Sequence, residues 1–462
     1  MISSIARRVL VMTFYALFLL AGCAGNNVST EDSAYHTLKS FIDSIKVIDT
    51  HEHQRLSAVS GKGEVNFYSI LNMTYLTSDL RLAGAPGMDS DLIAEGDLDS
   101  LWEVYGVYLN RCRNTSFYGH LVQGYKLLYN MDEPYFTKEN IEILSGQLAQ
   151  NYKNPDSWYS AAFRRAPFEL MFSSQWRDFF KTQTAFDGHA LVLRFDMYVT
   201  SVSQRSSLES PEAATLGNPF YKARQEGAEI RNLGDYLAFA DRWFAKMFES
   251  GAVCAKSLNA YQRSIDYQEV SRQKADRLFA RSSESLTVAE KISLEDFMFF
   301  WCMRKCAEYD LPVQIHTGQL GGLYRDLDNG HPMKLLKVMQ ACKETKFSLL
   351  HGGYPWYQDI GSIAKCYPNA YLDLVWLPQI SREAAVDALH QWLDCVPYTK
   401  LCSGGDCVTI EEAVGALEYG RDVVAQVLAE RVSSGRMTIE FAREAASAIF
   451  KDNAISLYKL HE

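Results

Sequence analysis

His51 and His53 are the residues whose type and spacing most directly offer chemistry, in the stretch Val47-Ile48-Asp49-Thr50-His51-Glu52-His53. Val47 and Ile48 read as the end of a buried β-strand. Side chains two apart on an extended chain point the same way. Both imidazoles can therefore reach one point just beyond the strand, while Glu52 faces elsewhere and reads as a structural or supporting residue. Two converging imidazoles are half of a metal site. The other half must come from elsewhere in the chain.

The elements that would bring it there are short apolar runs. After Val47-Ile48 they are 168–172, 190–195, 252–255, 312–315, 347–350, 370–375 and 400–403. Most are separated by segments of helical period, such as Met333 to Cys342 and Arg382 to Leu393. Eight strands alternating with helices predict an α/β fold, a (β/α)8 TIM-like barrel, whose chemistry sits at the C-terminal ends of its strands. Those ends hold His51 and His53 after strand one, Lys256 after strand four, His316 after strand five, His351 after strand six and Asp406 after strand eight. Arg194 and Asp196 flank the end of strand three and can pair with each other. Residues 54–165 break the pattern with aromatic and leucine-rich segments at helical spacing, a helical insertion too long for an ordinary loop. Its Trp102, Tyr105, Tyr108, Tyr118, Tyr125, Trp158 and Tyr159 form either its own core or a pocket wall suited to an aromatic or sugar-like substrate.

His-x-His after strand one, single histidines after strands five and six, and Asp after strand eight resemble the amidohydrolase superfamily of metal-dependent barrels. Local detail resembles its amidohydrolase-related branch. Leu311-Pro312-Val313-Gln314-Ile315-His316-Thr317-Gly318 and Leu349-Leu350-His351-Gly352-Gly353-Tyr354-Pro355 are similar to segments of the domain that precedes glutamine synthetase in nodulin-type and fungal proteins. Lys256-Ser257 with Ala260-Tyr261-Gln262-Arg263, and Asn453-Ala454 with Leu457-Tyr458, extend the likeness. The resemblance implies His51, His53, His316 and Asp406 as ligands of a metal, zinc above manganese, and one ion rather than two. Asp406 would also accept a proton from the attacking water, and His351 would hydrogen-bond the attacked oxygen or the water in a one-metal site and be a ligand in a two-metal site. Lys256 would bridge two ions or face a substrate carboxylate, and Arg263 would anchor that carboxylate. The implied reaction is hydrolysis of an amide, lactone or related C–N or C–O bond in a small carboxylated molecule. The alternatives are decarboxylase or uronate-isomerase chemistry, and a surface binding protein without activity.

The first residues carry a different signal. Arg7 and Arg8 precede an apolar run from Val9 to Leu20, about a dozen residues long and too short to span a bilayer. The run ends in Leu20-Ala21-Gly22-Cys23, which resembles a bacterial lipobox. The expected organisation is a signal peptide over 1–22, a lipidated Cys23 with a tether over 23–40, and the barrel over 41–462. That places the protein in the bacterial cell envelope, periplasmic or outer-membrane associated, held to the membrane through Cys23. The formal charge of −10 argues against nucleic acid as a partner. The other nine cysteines show no zinc-ribbon spacing and read mainly as buried thiols.

Overall fold

A computed structural model describes residues 30–54, 63–174, 188–204 and 218–460. Each apolar run is a strand: β1 (Val47–Glu52), β2 (Phe168–Ser173), β3 (His189–Arg194), β4 (Ala252–Ser257), β5 (Val313–His316), β6 (Phe347–Leu350), β7 (Ala370–Asp373) and β8 (Leu401–Cys402). They pair in sequence order, and each neighbouring pair from β1 to β8 is parallel. Backbone bonds from Thr50 N–H to Ser403 O (3.2 Å) and from Asp406 N–H to His51 O (2.7 Å) tie the β8 end back to β1. The strands read as continuous apolar runs because both faces are covered: β1, β5, β6 and β8 are buried throughout.

Helix α1 (Thr30–Asp43) precedes β1. Between β1 and β2 lie α2 (Phe67–Leu71), α3 (Leu76–Leu82), α4 (Ser90–Glu95), α5 (Leu98–Arg111), α6 (Ser116–Tyr129), α7 (Lys138–Asn151) and α8 (Pro155–Arg165). Crossover helices include α9 (Leu233–Glu249), α10 (Val288–Glu308), α11 (Leu336–Ala341), α12 (Tyr357–Cys366) and α13 (Arg382–Cys395), and α14 (Ile410–Ser433) follows β8. Helix α9 shows why they dock: Leu233, Tyr236, Leu237, Ala240, Trp243, Phe244 and Met247 recur at helical spacing and are buried. The stretch expected as a tether is already helical at Thr30. The reason is packing: Leu38 and Ile42 are fully buried, and Lys39 pairs with Glu418 of α14 at 2.7 Å. Residues 1–29, including Cys23 and the expected signal peptide, lie outside the described residues. Among the described residues no helix is long and apolar enough to cross a membrane. The nine cysteines there are free thiols, most of them buried.

The insertion is bolted onto α14 rather than lying loose over the barrel. Glu411 is fully buried and accepts from Tyr129 OH (2.6 Å), Tyr152 OH (2.9 Å) and Trp158 Nε1–H (3.0 Å). Helices α6 and α14 touch backbone to backbone at Gly124 and Gly415, where a Cβ would come within 2.0 Å of a carbonyl oxygen.

Candidate metal centre

Three side chains converge at the β1/β8 end of the rim. His51 Nε2 and His53 Nε2 lie 3.4 and 3.2 Å from Asp406 Oδ1, and all three donor atoms fall within 4.8 Å of one another. Donors bound to a tetrahedral ion at ~2.0–2.2 Å stand ~3.3–3.5 Å apart, so the observed spacing fits one divalent ion. The other ring nitrogens fix the orientation. His51 Nδ1 meets Gln314 Oε1 at 3.1 Å, and His53 Nδ1 meets Ser174 O at 2.9 Å. An Nδ1–H donated to those oxygens leaves each Nε2 lone pair turned to the centre. Burial, then the nearby Lys256 and His53 charges, push the His51 pKa well below its ordinary value, which keeps that lone pair available. His51 Nε2 and Asp406 Oδ1 are shut off from solvent and have no hydrogen-bond partner. Two unpaired buried polar atoms facing each other are costly unless a ligand joins them.

Local backbone aims these groups. The β1–β2 register shifts between Asp49 and Glu52, just where the histidines leave the strand. Asp406 has φ +64°, which folds its carboxylate back toward β1. Gly404 and Gly405 serve packing, not ligand approach: a Cβ on Gly405 would lie 2.1 Å from Glu52 Oε1. Glu52 is turned away from the ligands, as strand alternation predicts, and accepts from Cys407 N–H (2.7 Å) and Gln54 Nε2 (2.9 Å). It lies beside Asp49, and burial pushes both carboxyls up, Asp49 to about 7.

The other expected residues divide. His316 lines the same cavity but is not part of the three-donor cluster. Its Nε2 meets Gln319 O and its Nδ1 meets His351 Nε2, both at 2.8 Å. His351 (φ +66°) is fully buried behind His316 and Asp406, with Nδ1 3.8 Å from Asp406 Oδ2. It contacts the cavity's residues from behind, through His316 and Asp406. Lys256 is likewise sealed below the cavity, its Nζ shielded and without a hydrogen-bond partner. Burial pulls its pKa down to about 7, against the opposing pull of Asp406. Arg263 is not a substrate anchor: Glu295 (3.0 Å) and Asp296 (2.6 Å), both on α10, hold its guanidinium. Arg194 and Asp196 do pair, at 3.1 Å.

Of the two roles open to the insertion's aromatic residues, the structure gives them the first, the insertion's own core. Tyr105, Tyr118, Tyr125 and Tyr159 are buried, and Trp102, Tyr108 and Trp158 pack against them. The residues over the metal centre are others. Tyr75 OH donates to Asp406 Oδ2 at 3.2 Å. Tyr75 and Tyr261 line a cavity of about 340 Å³ that also holds His51, His53, His316 and Asp406. Beside it lies a second cavity of about 310 Å³, with Phe117, Trp376 and Arg325 in its wall. No motif marks Tyr75, but Trp376 follows the seventh apolar run directly, the position that singled out His316 and His351.

The fold is a (β/α)8 barrel with a buried His–His–Asp cluster at its C-terminal rim, a donor set that could hold a metal ion. Residues 287–460 match the amidohydrolase family model. Protein fluG of Emericella nidulans is 32% identical over 261 residues, which is 51% of this chain and 30% of that protein, so the chain spans about a third of this relative. Glucuronate isomerase of Caulobacter crescentus superimposes with a TM-score of 0.74 at 15% identity, over 95% of this chain and 96% of that one. Uronate isomerase of Thermotoga maritima gives 0.72 at 17% identity, over 92% and 97%. At these identities the two structures speak for the fold alone. The match over residues 287–460, the barrel fold and the donor set make this part of the chain similar to the amidohydrolases.

Proposed function

We propose that the protein is a metal-dependent hydrolase acting on an amide, lactone or related C–N or C–O bond of a small carboxylated molecule, anchored in the cell envelope through Cys23. The observation that carries the reading is the unpaired, buried His51 Nε2 and Asp406 Oδ1 facing each other on the wall of a substrate-sized cavity. His51, His53 and Asp406 would hold one ion, with His316 alongside. The donor set favours zinc, which supplies Lewis acidity and makes water acidic enough to attack near neutral pH.

The protein's own groups do the rest. Asp406 Oδ2, steadied by the Tyr75 hydroxyl, takes the proton of the attacking water and returns it to the leaving group. His351 donates Nε2–H to His316 Nδ1 and so fixes the His316 ring.

One observation favours a second reading. Asn72, Thr77, Ser78, Tyr75 and Tyr261 surround the metal cavity with amide and hydroxyl groups, which suits a polyhydroxy acid and aldose–ketose exchange. Metal analysis followed by product analysis tests both. The purified protein should hold about one ion per chain. Zinc- or manganese-loaded protein should release acid with amine or alcohol from a panel of amides and lactones. Aldose–ketose exchange of a uronate without hydrolysis selects the second reading. Two ions per chain, one of them lost in Lys256→Ala, would replace the one-ion site with a bridged pair. Folded protein that takes up no metal and turns over none of the panel overturns both readings.

A further inference from the structure

The 310 Å³ cavity beside the metal cavity is walled by three aromatic rings from three separate elements. Tyr75 precedes α3, Phe117 lies in α6 and Trp376 follows β7. The Tyr75 and Phe117 rings stack at 5.5 Å and 21°, Phe117 and Trp376 at 6.0 Å and 29°, and Tyr75 and Trp376 meet at 4.6 Å. Tyr75 belongs to both cavities, since its hydroxyl is on Asp406 while its ring forms part of this wall. The two spaces are therefore one residue apart.

The polar groups of the second cavity balance. Asp79 and Arg325 both line it, so the charges offset. Trp376 is 1% exposed, and its Nε1–H has no acceptor; Asp79 Oδ2 is shut off from solvent, and Thr115 is the side-chain hydrogen-bond partner of the carboxyl. Burial pushes the Asp79 carboxyl up. The mouth carries two apolar side chains open to solvent, Leu82 at 74% exposure and Tyr324 on the loop after β5. A space that is near-neutral, ring-walled and apolar at its mouth selects for shape and π-surface more than for charge.

We propose that this cavity is a subsite for an aryl or heteroaryl ring of the substrate, packed against Phe117 and Trp376, with the reacting bond reaching past Tyr75 to His51, His53 and Asp406. The proposal rests on the metal cavity being the reaction centre, and it narrows the substrate class to aromatic amides, esters or lactones.

A matched pair of probes tests it: benzamide and cyclohexanecarboxamide share one polar group and differ in the ring. Binding is measured by calorimetry on the full chain stripped of metal, so that coordination cannot contribute and failure of the hydrolase reading leaves the test intact. Benzamide should bind at least tenfold tighter, and Phe117→Leu, which keeps an apolar side chain but removes the ring, should erase the preference. Equal binding of the two amides, a preference that survives Phe117→Leu, or binding that requires metal would overturn the subsite. Should Phe117→Leu not fold, 4-bromobenzamide soaked into wild-type crystals gives the answer directly. Bromine located in the 310 Å³ cavity beside the Phe117 ring supports the subsite, and bromine elsewhere overturns it.

Discussion

Asp406 and Glu411 are both buried carboxylates in the segment after β8, yet they are built in opposite ways. Glu411 sits in the first turn of α14 and has a donor for every role: two tyrosine hydroxyls and an indole N–H at 2.6 to 3.0 Å. Asp406 sits at φ +64° with Oδ1 unpaired and two imidazole nitrogens facing it. A satisfied buried carboxylate joins parts of a fold. An unsatisfied one in a left-handed backbone is held in readiness, and the rest of the barrel supplies the stability that holds it there. The left-handed residues His351 and Trp376 lie at the same rim.

The sharpest way to break this contrast is to exchange function for stability at the two positions. Under the proposed function Asp406→Asn should lower turnover by about 10³-fold or more, since in that reading it removes a ligand and the proton acceptor together. It should cost little or no stability in metal-free protein, because Asn tolerates the left-handed region better than most residues and a buried charge disappears. Urea unfolding of chelated protein checks the second half, and a loss above about 1 kcal/mol would show that Asp406 is structural like Glu411.

Glu411→Gln should do the reverse. One oxygen becomes an NH₂ facing donors, and the charge that strengthens the three bonds is lost, at a cost of about 3 kcal/mol. Turnover at a temperature where the variant stays folded should change little. A kcat that falls as far as in Asp406→Asn would mean that the insertion's docking is part of the chemistry.

How far the sequence reveals this contrast follows from what each feature depends on. The eight strands are legible because parallel strands covered on both faces are continuous apolar runs, and each expected run overlaps a strand. His51, His53 and Asp406 are legible because barrel topology turns strand ends into neighbours. What is hidden depends on unpredictable partners. Arg263 looks like an anchor until α10 brings Glu295 and Asp296 to it. The aromatic residues of the insertion read equally as core or pocket wall until their packing places them in the core. His316 and His351 occupy the expected strand ends, but nothing in their spacing shows that they bond to each other. Tyr75 reaches Asp406 only through the way the insertion folds back.

The same contrast extends to histidine, with a smaller effect. His51 at the rim has an unpaired Nε2, whereas His189 at the start of β3 has its Nε2 on the Tyr159 hydroxyl at 2.9 Å. Burial alone pulls the His189 pKa down to about 4, against about 6.5 in the unfolded chain. The unfolded chain therefore binds a proton first as pH falls. The stability that neutral His189 contributes is complete above pH 6.5 and drains away through the window from 6.5 to about 4. Between pH 6.5 and pH 5 that loss is about 2 kcal/mol. His189→Gln keeps a polar group near Tyr159 but cannot titrate. The difference between wild-type and variant unfolding free energies, followed across that window in metal-free protein, should shrink by this amount on acidification. A difference that stays constant with pH would mean that His189 takes up its proton in the fold as readily as in the unfolded chain, and that its burial carries no charge penalty.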